Sequence, residues 1–530
     1  MDIAAGACRI HRSGTQPNGD TCMFGNGHAR QRVGVIVLCL LLAGAFLGAR
    51  GIWDPDEGRY SNVAVTMLDN GNWVDTMRSD QVGHWTKPPL TYWAIAASVS
   101  TLGHNAFAAR LPMALSYLAC IGLAGLCARR LRPGSGTLAA LAYATMALPF
   151  GTSQWISTDA PLAACQALAM WGYVEYRFGS GRAPGRWLAL TGAALGLAFL
   201  TKGPPALVVL PVMLLLGWLA PPARPAGPAP RVLAVFLFAA IALPWFIVVA
   251  ARHPGLLHYL LGAEVVDRMT TDRFARFGSW WGWVIYVPTL LLGTLPWTGS
   301  LLRAGARLPA ACRRWRDRAT RQREAPALLL ALWVAVPLLV FCLARSRLPL
   351  YVLPVFLPLA IIVARVRAQR GLGLPRWHWL LLWVALLLGL RVASAHWTTH
   401  KDASHWAKAI RQRAGDRVSE VVFVEDMARY GLHLHLGVEV EKVSLAEREE
   451  PPYNPEFDES LTRELADVAT EPDILFITPT AQWPAVRAHA QALGYDLQVL
   501  GTPYRDRIFF RVRCAQLTRC GAGAAPAGRR

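Results

Sequence analysis

The sequence predicts a polytopic, all-α membrane protein with a small α/β domain at its C-terminal end. Three observations carry this. Of 530 residues, 54% are hydrophobic and only 17% are charged, with a mean hydropathy of +0.29; a soluble globular chain carries about 25% charged residues. The missing charge is absent from long apolar runs, and about 18 apolar residues suffice to cross the hydrocarbon core as a helix. From residue 398 the pattern changes to charged helical stretches and short strand-like runs. Together these exclude a large soluble enzyme.

About eleven spans are expected by the length criterion, with about thirteen as an upper bound. They cover residues 33–49, 106–127, 137–150, 160–176, 187–200, 204–220, 232–251, 280–301, 325–344, 350–366 and 379–395. The apolar stretch 88–103 is short and opens on Pro88-Pro89, which reads as an interfacial helix. Residues 1–32 form a polar tail with Arg9, Arg12, Arg30 and Arg32. The run after it is longer than most signal-peptide cores and reads as an uncleaved first span. The expected division is therefore a tail (1–32), a membrane domain (33–397), an α/β domain (398–513) and a disordered tail (514–530).

Charge fixes the direction. The formal net charge is +20, and arginines crowd alternate loops. Examples are Arg129, Arg130 and Arg132, then Arg177, Arg182 and Arg186, then the loop from Arg303 to Arg323, then Arg365, Arg367, Arg370 and Arg376. All fall on the side of the N-terminus, which the positive-inside rule makes cytoplasmic. This explains the basic balance without nucleic acid, for which no aromatic-rich basic groove exists. An odd span number places the α/β domain outside the cytoplasm. There 404–413 is helical and 421–425, 473–478 and 507–512 are strand-like, while His433 and His435 alternate in a further strand-like run. No CxxC pair occurs among ten cysteines. Cys514 and Cys520 could pair outside the cytoplasm.

With direction set, the unusual polar residues fall at the outer mouths. Trp53-Asp54-Pro55-Asp56-Glu57-Gly58-Arg59-Tyr60 follows the first span, and Thr86-Lys87-Pro88-Pro89-Leu90-Thr91-Tyr92-Trp93 comes later in the same loop. Asp159 opens the fourth span, Lys202 follows the fifth, Glu264 and Arg268 lie in a long fourth outer loop, and Tyr351 lies in the fifth. Ionisable groups at bilayer depth are costly unless paired or hydrated, so acids and bases at several mouths point to a shared polar cavity. Only five residues of the chain are lysines, and Lys87 and Lys202 are the two in the membrane portion. A compact ammonium suits a phosphate oxygen in a tight space. The chemistry that fits is glycosyl transfer from a lipid phosphate. Asp56 or Asp159 would be the base for an acceptor hydroxyl. Lys87, Lys202 and an arginine would carry the charge that builds on the departing phosphate. No nucleotide-binding glycine motif competes.

At these residues the chain resembles a known family. Asp56-Glu57-Gly58-Arg59-Tyr60, Lys87-Pro88-Pro89-Leu90 with Tyr92-Trp93, Thr201-Lys202-Gly203 and Leu348-Pro349-Leu350-Tyr351 look like the ArnT-like transferases. These are the lipid A aminoarabinose transferases and their relatives, of the GT-C fold related to protein O-mannosyltransferases. The resemblance implies inverting transfer from an undecaprenyl-phosphate sugar on the periplasmic face to an acceptor such as lipid A. It implies catalytic roles for Asp56 and Asp159. It also implies substrate-binding roles, toward the lipid phosphate and sugar, for Glu57, Arg59, Tyr60, Lys87, Tyr92, Lys202, Glu264, Arg268 and Tyr351. Two positions depart from the family: Thr86 stands where Glu is usual and Val265 where His is usual. Both losses remove metal ligands, so no metal or other cofactor is expected. His84 with His258 or Glu264 could rebuild a site from different residues. The partners implied are membrane lipids, the polyprenyl-phosphate sugar and a glycolipid or protein acceptor. Competing readings are a protein O-mannosyltransferase-like enzyme, a lipid-sugar flippase or transporter, and a non-catalytic assembly protein.

Overall fold

A computed structural model of the chain describes residues 20–180, 183–262, 280–468 and 473–514. Among the described residues, five helices are long and apolar enough to cross a membrane: Ala106–Leu131, Pro228–Arg252, Ala325–Leu343, Pro349–Gln369 and Trp377–Ala395. They coincide with five of the expected spans. Large apolar side chains such as Phe236, Ile247, Leu343, Leu382 and Leu390 are exposed on them, as a lipid-facing surface requires.

The other expected spans map onto helices that are shorter, interrupted or less uniformly apolar, and proline accounts for several interruptions. Over residues 137–150 the helix Gly136–Thr145 stops at Met146, whose backbone is extended, and resumes as Ala147–Thr152. Pro149 has no N–H to give the Thr145 carbonyl four residues back. That carbonyl accepts from Trp383 Nε1 instead, at 2.8 Å. Pro204 and Pro205 open a 3-10 turn, Pro204–Val209, before the helix Leu210–Leu219. The carbonyls of Pro205 and Ala206 both accept from Gln166 Nε2 at 3.0 Å. Pro296 separates Tyr286–Gly293 from Thr298–Arg314.

Between the first two expected spans lie two helices. Leu90–Leu102 takes the place of the interfacial helix. Asp56–Asp69 was not expected: its segment reads as loop, yet Asp56 and Glu57 occupy its first turn, where carboxylates favour the helix dipole.

The C-terminal domain holds a six-stranded sheet. Its strands are β1 (Glu420–Val424), β2 (Glu439–Ser444), β3 (Glu459–Ser460), β4 (Leu475–Pro479), β5 (Tyr495–Val499) and β6 (Arg507–Cys514), in the order β3-β2-β1-β4-β6-β5. Pairings among β1, β2, β3 and β4 are parallel, and those of β6 with β4 and β5 antiparallel. One face packs Val422, Val424, Phe476 and Phe510 with Leu461, Leu465 and Val486. The other packs Val421, Phe423, Ile477 and Phe509 with Trp406 and Ile410. His433 and His435 lie in a helix, Gly431–Leu436, rather than a strand. Cys520 lies outside the described residues.

This domain seats on the loop that follows the first helix. Asp54 N donates to Lys401 O at 2.9 Å and Ala403 N to Ile52 O at 2.9 Å. Arg78 Nη2 reaches Asp458 Oδ1 at 2.6 Å. His433 bridges Asn62 Oδ1 and Asp69 Oδ2, both at 2.8 Å. The approach is close: a Cβ on Gly58 would lie 1.7 Å from Asp54 Oδ1 and 2.7 Å from Gly431 N.

Candidate active site

The loop from Arg50 to Asp56 is anchored by Glu57. Its carboxylate is fully buried and accepts from Arg50, from Arg110, from Trp53 N at 3.0 Å and from Ile156 N at 3.1 Å. Burial alone would raise its pKa, but Arg110 and then Arg50 hold it down at about 2. Glu57, expected to bind substrate, is thus saturated by protein donors; it fixes the turn that presents Asp56. Arg50 and Arg110 did not stand out in the sequence. Arg110 left a signal, being a charge inside an apolar run.

Asp56 opens its helix and stays 44% exposed at the side chain, holding Arg59 at 2.6 Å. It borders a cavity of about 230 Å³ lined by Trp53, Asp54, Trp155, Trp397, Thr399 and Lys401. Asp159 is the first residue of the helix Asp159–Phe178, and it pairs with Lys202, the last residue of Pro184–Lys202. The Lys202 ammonium lies 4.4 Å from the centre of the Tyr351 ring, a cation–π contact. Tyr60 lies within electrostatic reach of both acids. Burial raises its pKa, and Lys202, Arg59, Asp159 and Asp56 all act on its phenol. Its ring stacks on Tyr92 at 5.7 Å.

The Lys87 Nζ donates to Thr86 O at 2.6 Å. Thr86 Oγ1 bonds His84 Nε2 at 2.8 Å. Burial, then Arg59, Arg78 and Lys87, keep His84 well below the usual imidazole range, so it is neutral at pH 7. Tyr92 has no exposed surface and packs between Tyr60 and His84, backing the site from behind. Five of the expected residues thus group around a sixth, Tyr60: Asp56, Arg59, Asp159 and Lys202 all act on its phenol, and Tyr351 lies against Lys202. Glu264 and Arg268 lie outside the described residues. His258 is exposed on Leu256–Leu261.

Asp54 is a different kind of acid. It is 1% exposed, its Oδ1 accepts from Gly431 N at 3.0 Å and its Oδ2 has no hydrogen-bond partner. Burial pushes its pKa from 3.8 up to about 8, against the Gly431 bond and Arg429. A raised folded pKa means that folding takes up a proton, so its stabilising contribution is complete below about pH 4 and is lost as pH rises toward about 8. Asp54→Asn keeps an acceptor for Gly431 and removes the titration. Between about pH 5 and pH 8 the wild-type melting temperature should fall more than that of the variant. Parallel curves would mean that Asp54 is already ionised in the fold.

Residues 30–260 match the family model for dolichyl-phosphate-mannose-protein mannosyltransferase. An undecaprenyl phosphate-alpha-4-amino-4-deoxy-L-arabinose arabinosyl transferase of Pseudomonas fluorescens (strain Pf0-1) is 32% identical over 376 residues, which are 68% of this chain and 64% of that protein. One from Pseudomonas aeruginosa (strain LESB58) is 33% identical over 355 residues, or 63% of this chain and 59% of that one. The chain thus spans less than two thirds of the length of these relatives. The crystal structure of ArnT from Cupriavidus metallidurans bound to undecaprenyl phosphate superposes with a TM-score of 0.69 at 20% identity, covering 90% of this chain and 97% of that one. An Archaeoglobus fulgidus oligosaccharyltransferase gives 0.51 at 10% identity, covering 90% and 75%. The fold is that of the solved ArnT structure. In sequence the chain is similar to the arabinosyl transferases.

Proposed function

We propose that the chain is an inner-membrane glycosyltransferase. It moves a sugar from a polyprenyl (undecaprenyl) phosphate to an envelope acceptor such as lipid A, on the periplasmic face. The observation that carries this is the convergence of exposed Asp56 with the Asp159–Lys202–Tyr351 group around Tyr60. Asp56 takes the proton from the acceptor hydroxyl as that oxygen attacks the anomeric carbon. The bond from that carbon to the phosphate oxygen breaks, and its electrons leave on the lipid phosphate. A phosphate is already a good leaving group, so cations matter more than an acid. Lys202 and Lys87 supply the charge, with Arg268 and Glu264 of the fourth outer loop assigned to the same donor. Asp159 holds Lys202, and Arg59 and Tyr60 shape the floor.

A second reading differs in acceptor. The match to a dolichyl-phosphate-mannose-protein mannosyltransferase family favours a protein. Mass spectrometry of envelope glycolipids and glycoproteins, with and without the gene, separates the two. A sugar mass lost from a glycolipid supports the first, and one lost from a protein the second. No loss from either contradicts transfer.

Lys202→Arg should lower transfer roughly tenfold or more. The broader guanidinium must fit between Asp159 and the Tyr351 ring, where an ammonium acts as a point charge. Equal rates in a membrane assay would place the lipid phosphate elsewhere.

A further inference from the structure

The helix Thr298–Arg314 is 17 residues long and buries none of them. Arg303, Arg307, Arg313 and Arg314 make it unsuited to a span. Both of its ends are tied to the arginine-bearing end of the span Pro349–Gln369. Trp297, just before it, has the Arg367 guanidinium 5.5 Å from its ring centre and donates from Nε1 to Thr145 Oγ1 at 2.8 Å. Trp315, just after it, donates from Nε1 to Glu324 Oε2 at 2.8 Å, and Glu324 acts on Arg365. A helix of this length reaches about 25 Å. Held at both ends there, it lies across the end of that span instead of continuing along it.

Helical periodicity divides its surface in three. Leu301 and Ala304 are partly buried, and Leu301 and Trp315 pack against the membrane core. Leu302, Gly305, Pro309 and Cys312 form an exposed apolar strip with Leu308 beside it. Leu302 is 60% exposed and Leu308 45%. Arg303, Arg307 and Arg314 share the face opposite that strip, and Arg313 flanks it. No acid occurs between residues 298 and 316. Among the described residues, Arg314 is the one arginine of this stretch paired with an acid, Glu324 at 3.1 Å. Arg303, Arg307, Arg313 and Arg316 are exposed. A single exposed leucine is ordinary. An apolar strip backed by an arginine face along one helix instead fits a surface that is apolar below and anionic above.

We propose that this helix lies in the membrane interface and binds anionic phospholipid. Leu302, Leu308 and Cys312 enter the acyl boundary, and Arg303, Arg307 and Arg313 reach the headgroup phosphates. Nucleic acid would satisfy the arginines but leave the leucines in water. A zwitterionic headgroup offers the same phosphate but sets an ammonium beside it, so a lipid of net negative charge binds better. The lipid fastens the helix over the end of the span that carries Arg365 and Arg367. Tyr351 stands at the other end of that span, so the inference does not rest on the transfer chemistry.

The test uses the purified full chain in neutral detergent, titrated with phosphatidylglycerol or with phosphatidylcholine of the same acyl chains. Phosphatidylglycerol should raise the melting temperature saturably, and native mass spectrometry should show it retained in preference to phosphatidylcholine. The response should shrink as salt is added. The triple variant Arg303→Gln, Arg307→Gln, Arg313→Gln should bind phosphatidylglycerol at least tenfold more weakly, and each single substitution a few-fold more weakly. Without lipid these variants should melt like wild type, because the three side chains have no acidic partner among the described residues. Lysine at the same three positions should keep most of the binding. Equal responses to the two lipids overturn the proposal. So does wild-type binding by the glutamine variants, which puts the lipid elsewhere. Displacement of the lipid by an equimolar DNA oligonucleotide also overturns it, and makes the face a nucleic-acid surface.

Discussion

Asp56→Asn should reduce sugar transfer by roughly a hundredfold or more, the scale expected when a general base is removed, while leaving the amount of folded protein unchanged. The substitution preserves shape. Asp56 bears little structural load: its side chain is 44% exposed and, among the described residues, its ion pair is the local one to Arg59. The exposed Asp56–Arg59 pair is worth little to stability, so losing it costs the fold little. Its value lies in position at the cavity beside Trp53 and Trp155. Transfer assays on membranes, normalised to protein abundance, check this. Transfer near the wild-type rate would pass the role of base to Asp159. That residue is the weaker candidate, because Lys202 already occupies its carboxylate.

Glu57→Gln, one residue away, should do the opposite: remove the protein rather than the chemistry. Arg50 and Arg110 are both buried, and Glu57 is the acid paired with each of them. Taking one member from a buried ionic group leaves uncompensated charge and costs about 3–5 kcal/mol. That is a large part of the roughly 5–15 kcal/mol by which domains are stable. The glutamine amide would also turn N–H groups toward two guanidiniums that only donate. Thermal unfolding and membrane abundance should both fall, with the surviving fraction transferring at a near-normal rate. Wild-type stability with transfer abolished would instead return Glu57 to the reaction, as its place in the motif first suggested.

The contrast between these neighbours shows what a sequence can and cannot display. The apolar runs at 106–127 and 232–251 exceeded the length a bilayer requires, and their helices follow. The strand-like runs at 421–425, 473–478 and 507–512 became β1, β4 and β6. β2 escaped notice because its sequence, Glu-Val-Glu-Lys-Val-Ser, is too charged to read as a strand. Gly-Leu-His-Leu-His-Leu has the period of a strand yet forms a helix. There His433 is held by Asn62 and Asp69, far away in the chain, so tertiary contact overrode local pattern. Motif spacing brought Asp56 and Lys202 forward as candidates. It could not separate Asp56, which faces the cavity, from Glu57, which turns inward, because adjacent helical residues point in different directions. Nor could it show that a domain more than 300 residues downstream braces the loop, for instance through Gly431 and Asp54.

The most direct test is to incubate the purified chain with an undecaprenyl-phosphate sugar and a lipid A acceptor, and to follow both products by mass spectrometry and by NMR of the anomeric centre. Direct displacement by an acceptor hydroxyl should release free undecaprenyl phosphate in step with glycosylated acceptor, with the anomeric configuration inverted. Donor recovered intact would contradict glycosyl transfer to this acceptor, and product with retained configuration would contradict a single displacement assisted by Asp56.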